Sequence, residues 1–268
     1  GSYTLAANAG SAGASGGTAL TVKGDITNNS ANAQTINLDL ALLGSSTGIV
    51  NTASGNLTIG GVVSGAGGIT KQGNSTLILS ANNTYSGATT ISGGTLQIGA
   101  GGTSGTLNAN STITNNGTLA FNRSNTVTQG TDFAGVVSGS GNLTQAGSGN
   151  LLLTGNNTYT GTTTISAGTL EVGSAGRLGG GAYAGNIANS GLLIYSGSNA
   201  QTLSGAISGT GALTQNNSSS TLTLSGNNTY TGTTTISAGT LAIDGSGRLG
   251  GGNYTGNISN TGTFLYNG

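Results

Sequence analysis

The chain alternates short apolar segments with turn-forming residues along its length. A recurrent segment has the form Thr-Leu-x-Leu, Ile or Val, in which two apolar residues flank one variable position. Their first apolar residues form a series: Leu38, Leu57, Leu77, Leu96, Leu119, Leu151, Leu170, Leu193, Leu222, Leu241 and Phe264. Alternation with period two is typical of a β-strand, whereas a helix needs apolar residues three and four positions apart. The pattern therefore predicts strands.

A second apolar series precedes the first by five to nine residues. Its members are Ile69, Ile91, Ile113, Leu143, Ile165, Ile187, Leu213, Ile236 and Ile258. Between the two series lie Gly, Asn and Ser, which favour turns. Two short strands per period, separated by turns, predict a coil.

Such short strands cannot bury an apolar face alone, but stacked coils bury a continuous column and pair each backbone edge. The spacing leaves no room for crossover helices, and parallel connections wind right-handed by default. The predicted fold is therefore an all-β, right-handed parallel β-helix of about twelve coils, each of 19–32 residues. At about 4.8 Å per coil, the rod would be roughly 55–60 Å long.

A longer repeat contains these coils. Residues 155–170, GNNTYTGTTTISAGTL, recur without change at 226–241, and a close copy occupies residues 81–96. Alignment around these copies predicts one segment with diverged lead-in coils at residues 1–60. Three homologous units follow at residues 61–134, 135–204 and 205–268. We expect the chain to be an excerpt of a larger protein.

The positions between paired inward residues point outward in this reading. A fully solvated face would avoid large apolar residues there, yet the series contains Ile78, Leu152, Ile194 and Leu265. Single exposed apolar residues are ordinary. The recurrence nevertheless predicts one face that is partly covered or contacts a neighbouring rod.

The motif NNTYTGTTTISAGTLEVG, preceded by VVSGSGNLTQAGSGNLLLTG, closely resembles the repeat of autotransporter passenger domains. These are type V secretion proteins of Gram-negative bacteria. The resemblance covers residues 57–268 and is weak before them. It implies a right-handed β-helix displayed on the bacterial surface, in adhesins and related proteins, anchored through a region outside this chain.

The amino-acid composition excludes several kinds of catalytic and metal site. The chain has 54 Gly and no His, Cys, Pro, Met or Trp, so a Ser-His-Asp triad, a cysteine nucleophile and a His or Cys zinc site are excluded. Five cations balance five acids, which argues against nucleic-acid binding. No apolar run is long enough to span a membrane as a helix. We expect no cofactor and no metal.

Two functions from different classes remain open. The leading expectation is a non-enzymatic rod that acts as a stalk, and that adheres to a host or neighbouring cell surface or associates with like rods. The alternative is a fragment of a carbohydrate-active β-helix enzyme, which would need two carboxylates in one cleft. The five acids occupy unrelated positions of the aligned units, which favours the rod.

Overall fold

The computed structural model describes residues 19–43, 48–52 and 54–267. Over these residues the chain is an all-β parallel solenoid of about 11 coils, which confirms the predicted β-helix. Parts of the predicted lead-in, residues 1–18, 44–47 and 53, lie outside the described residues.

Strands of two to five residues make up the first half of the solenoid. They are β1 (Leu20–Val22), β2 (Ile26–Asn28), β3 (Gln34–Ile36), β4 (Leu40–Leu42), β5 (Gly48–Thr52), β6 (Leu57–Ile59), β7 (Val63–Gly65), β8 (Ile69–Gln72), β9 (Thr76–Leu79), β10 (Thr89–Ile91), β11 (Thr95–Ile98), β12 (Ile113–Asn115), β13 (Thr118–Phe121) and β14 (Val127–Thr128).

The second half continues the same order. It contains β15 (Val137–Ser138), β16 (Asn142–Gln145), β17 (Asn150–Leu153), β18 (Thr163–Ile165), β19 (Thr169–Ser174), β20 (Ala182–Tyr183), β21 (Ile187–Asn189), β22 (Leu192–Gly197), β23 (Gln201–Leu203), β24 (Ile207–Ser208), β25 (Ala212–Leu224), β26 (Thr234–Asp244), β27 (Ile258–Asn260) and β28 (Thr263–Asn267). Two single-turn 3-10 helices, Gly179–Gly181 and Gly250–Gly252, lie at corners.

Each coil has three strand positions, which we call faces one, two and three in chain order. Face one is the nine-stranded sheet of β3, β6, β9, β11, β13, β16, β18, β21 and β24. Face two holds β1, β4 and β7, and later β14, β17, β19, β22, the first halves of β25 and β26, and β27. Face three holds β2, β5, β8, β10, β12 and β15, and later β20, β23, the second halves of β25 and β26, and β28.

The expectation of two strands per period was therefore wrong by one strand. The third position was missed because two-residue strands such as β14 and β15 carry too few apolar residues to show alternation. Some coils fill it without a strand: residues 84–86 reach β7 through the Ser86 N–H, which donates to the Gly65 carbonyl at 2.9 Å.

Aliphatic columns fill the interior along each face. On face one, Leu57, Leu77, Leu96 and Leu119 pair in register, and all four are fully buried. In each strand the leucine and the residue two positions later point inward, as the alternation requires. The stacked columns form one hydrophobic core along the rod.

The two apolar series do not keep to separate columns. Leu119, from the first series, pairs with Leu143 of the second, and Leu193 pairs likewise with Leu213. Residues of the two series pair because the chain makes one full coil between Leu119 and Leu143, and again between Leu193 and Leu213. The next member of the same series comes after one coil and one further face.

The first coils also differ from the expected register. Leu38 was placed inward, but it is 55% exposed, and the inward residues nearby are Leu40 and Leu42. Gln34 occupies the position beside Leu57 that Leu38 was expected to fill. The Asp39 carboxylate accepts a hydrogen bond from the Val62 N–H at 2.7 Å, which holds this corner to the next coil.

Candidate interaction surface

The four outward apolar residues do not share one face. Ile78 lies on β9 of face one, whereas Leu152 on β17 and Ile194 on β22 lie on face two. Leu265 pairs with Ala242 on face three. Ile78, Leu152 and Ile194 are half-buried, and Leu265 is 43% exposed. The expected single face is therefore divided among three, and only Leu152 and Ile194 remain together.

Face two carries the densest part of this apolar surface. Leu152, Glu171 and Ile194 pair in register on three successive coils, so Glu171 lies between the two aliphatic side chains. Its carboxylate accepts hydrogen bonds from Ser196 Oγ at 2.6 Å and Asn150 Nδ2 at 3.1 Å. The only charged group among these three residues is thus hydrogen-bonded by neighbouring side chains.

Three other acids of the described residues are engaged by the backbone. Asp39 accepts from Val62, Asp132 accepts from the Thr128 N–H at 2.8 Å, and Asp244 accepts from the Gly245 N–H at 2.8 Å. Each carboxylate satisfies a backbone donor at a turn, which is a structural use of an acid. Among the residues described, no group of three or more acids could hold a metal ion.

Two of the five cations point into the rod. Lys71 is fully buried, and its Nζ donates to the carbonyl oxygens of Gln72, Gly73 and Gly93 at 2.7, 2.9 and 3.1 Å. Burial lowers the pKa of the Lys71 ammonium to about 8. Arg123, also buried, donates to the Gly105 and Thr103 carbonyls. Neither contributes to a basic surface.

Glutamines replace Lys71 at the same position of the other units. Gln145 donates to the carbonyls of Gly147 and Gly149, and Gln215 donates to those of Asn217 and Ser220. A buried carbonyl without a donor costs free energy, so each unit supplies a donor for its own corner. The sequence did not lead us to predict this role. An inward polar residue two positions after an apolar one is nevertheless a pattern that could have indicated a buried donor.

The tyrosines that recur in the repeated motif lie inside the rod. Tyr85, Tyr159 and Tyr230 are fully buried. Their hydroxyls bond the Oγ1 atoms of Thr89, Thr163 and Thr234 at 2.7–2.8 Å. In each unit the buried phenol therefore has a threonine hydroxyl as its partner.

A second tyrosine completes this network in two units. Tyr183 packs edge-on against Tyr159, with ring centroids 5.5 Å apart, and Tyr254 packs in the same way against Tyr230. The Tyr183 hydroxyl contacts Thr163 Oγ1 at 2.7 Å and donates to the Gly161 carbonyl. Burial raises the pKa of Tyr159 and Tyr230 well above the usual value, and that of Tyr183 to about 12.

The strands and corners just described recur in three matched segments. Residues 69–98, 143–172 and 217–243 match the passenger-associated-transport-repeat family. Three segments of the chain are therefore similar to the passenger-associated-transport repeat. The first match runs from β8 to β11 and the second spans β16 to β19, so each contains one buried tyrosine and one corner donor. One match falls within each predicted unit.

These three matches confirm the resemblance to autotransporter passenger repeats that the motifs indicated. No curated protein and no solved structure matches the chain. The residues that the structure describes include no helix long and apolar enough to cross a membrane.

Proposed function

We propose that this chain is a non-enzymatic structural segment of a surface-displayed autotransporter passenger, where it acts as a rigid stalk. The observation that best supports this proposal is the continuous parallel ladder: face one alone stacks nine strands in register, and their inward side chains are mostly aliphatic. Passenger-associated-transport repeats imply a secreted or surface-exposed segment.

Rigidity can be measured as a distance between the two ends of the rod. The chain has no native cysteine, so Thr27→Cys with Leu265→Cys gives one spin-labelled pair, both on face three. About 11 coils at about 4.8 Å predict a single narrow pulsed-EPR distance distribution near 50 Å. The same pair in urea is the control, and a broad distribution under native conditions would refute a rigid stalk.

The enzymatic alternative has less support from the described acids. A glycosidase needs a carboxylate pair with one proton donor, whereas Asp39, Asp132 and Asp244 cap backbone amides and Glu171 bonds two side chains. Incubation with neutral and acidic polysaccharides should release no reducing ends. Release that is lost in Glu171→Gln or Asp132→Asn would establish an enzyme instead.

We further propose that face two contacts like rods through Leu152 and Ile194, since a neutral chain lacks the charge repulsion that keeps proteins apart. Concentration-dependent light scattering measures this contact. Ile194→Lys should weaken association, while Ile78→Lys, at an equally half-buried site on face one, should leave it unchanged. Equal association in both variants would remove this surface and leave adhesion to a cell-surface ligand as the open role.

A further inference from the structure

Each complete unit contains ten strand-like segments. The first has the eight strands β7–β14 and two segments without strand geometry, residues 84–86 and 106–107. The second has the nine strands β15–β23 and residues 158–160, where the Thr158 N–H donates to the Val137 carbonyl at 3.0 Å. Because a coil has three faces, ten segments make three coils and one face more.

The equivalent strands of successive units accordingly lie on different faces. The strand that begins with Ile69 is on face three, its counterpart at Leu143 is on face one, and that at Leu213 is on face two. The strands that come next in each unit follow the same order: Leu77 is on face one, Leu151 on face two and Leu222 on face three.

Equivalent strands can lie on different faces because each unit contains the side-chain donor that its own turn requires. Lys71, Gln145 and Gln215 occupy equivalent positions, and each donates to carbonyls of the turn that follows it in its own unit. On all three faces the strands alternate inward and outward side chains, and the inward aliphatic residues join one hydrophobic core. A strand that suits one face therefore suits the next.

We propose that the number of units sets the orientation of the later coils about the axis of the rod. Each whole unit that is gained or lost moves every later strand from its face to the next of the three faces. Three units restore the starting direction. This property goes beyond the proposed stalk function, since a rod could be rigid whether or not its repeats turn.

Deletion of residues 152–222 tests the turn, because it removes one 71-residue period and joins Leu151 to Thr223. In the full chain, Thr235 lies on face two beside Thr214, several coils above Thr144 on face one. After deletion, Thr235 takes the place of Thr164, which pairs directly with Thr144. Neighbouring strands lie about 4.8 Å apart, within disulfide range.

The pair Thr144→Cys with Thr235→Cys should thus lose both thiols on oxidation in the deletion variant and retain them in the full chain. A matched control deletes residues 144–207, three whole coils between two strands of face one. It leaves the later faces unturned, so Thr128→Cys with Thr214→Cys, both on face two, should oxidise there.

Retention of both thiols in a folded unit-deletion variant would overturn the proposal. Failure of that variant to fold would overturn it too, because strands of one face would then not be exchangeable with those of the next. Neither result bears on the end-to-end distance of the native rod, which tests the stalk function separately.

Discussion

At the scale of the residue, this rod is held by buried polar groups as well as by aliphatic ones. The inward side-chain donors Lys71, Gln145 and Gln215 each donate hydrogen bonds to carbonyl oxygens of the turn that follows. Each buried tyrosine meets a threonine hydroxyl. Because an unpaired buried polar group costs more than a made hydrogen bond contributes, these contacts fix the register of the coils.

The central threonine of the tyrosine network should contribute more to stability than the half-buried threonine beside it. Thr163→Val removes the hydroxyl that both the Tyr159 and Tyr183 hydroxyls contact, so we expect a loss of about 1–3 kcal/mol in the free energy of unfolding. Thr164→Val keeps the β-branched shape on the outward side of the same strand and should change little. Urea denaturation measures both, and equal effects would contradict the network's role.

The free energy of unfolding should first rise and then fall as the pH is increased through the alkaline range. The Lys71 pKa, about 8 in the fold, is below its unfolded value, so the unfolded chain binds more protons above pH 8 and the folded chain gains stability up to about pH 10.5. The pKa values of Tyr159, Tyr183 and Tyr230 are raised, so their contribution is present below pH 10 and is lost above it. Each group contributes a slope of up to about 1.4 kcal/mol per pH unit.

Denaturation at a series of pH values separates the two effects. Lys71→Gln, which places the residue of the other two units at this corner, should abolish the rise above pH 8 and keep the fall above pH 10. A rise that persists in Lys71→Gln would mean that another group causes it.

At the scale of the element, the tight turns just before Thr95, Thr169 and Thr240 each require a particular glycine. Gly94, Gly168 and Gly239 have φ of +60°, +61° and +71°. A Cβ on Gly94 would lie 2.4 Å from the Gly73 carbonyl oxygen of the coil before it. The turn therefore needs both the left-handed conformation and the close approach that only glycine allows.

Neighbouring glycines in this turn should respond in opposite ways. Gly94→Ala should destabilise the rod by more than about 1 kcal/mol, since the φ penalty adds to a clash with backbone. Gly93→Ala should be neutral or stabilise by up to about 1 kcal/mol, because its Cβ would be 3.5 Å from the nearest atom and the other units have Ala167 and Ala238 there. Thermal unfolding of both variants measures the difference.

At the scale of the whole molecule, the coils contact only their neighbours along the axis, so stability is distributed along the rod. Among the basic residues, Lys71 and Arg123 are buried, whereas Lys23 and Arg248 are exposed. A protease that cleaves after basic residues therefore reports on the ends and on the interior separately.

Trypsin should cut the native protein after Lys23 and Arg248 and spare Lys71 and Arg123. Cleavage at the two buried sites should appear only in urea concentrations that unfold the rod, because opening them requires separation of stacked coils. Mass spectrometry of the fragments identifies the order. Early cleavage after Lys71 in native buffer would contradict the buried position of this side chain.

Much of the architecture was predictable, because it depends on local alternation. The inward leucines of strands such as β9, β11 and β17, the turns between them and the family resemblance were all visible in the sequence. The corner donors and the tyrosine–threonine pairs were not recognised, since a lone inward lysine, glutamine or tyrosine has no periodicity that marks its partner.

By itself, the sequence determined that the chain forms short strands with one apolar side, that they coil, and that the coils repeat in units of 71–74 residues. Only the tertiary structure decided on which face each strand lies, and so it separated Ile78, Leu152 and Leu265. The physical reason is that all three faces require the same alternation of side chains. The face is set by the number of segments in each complete turn of the backbone, and that closure is a property of the stacked coils.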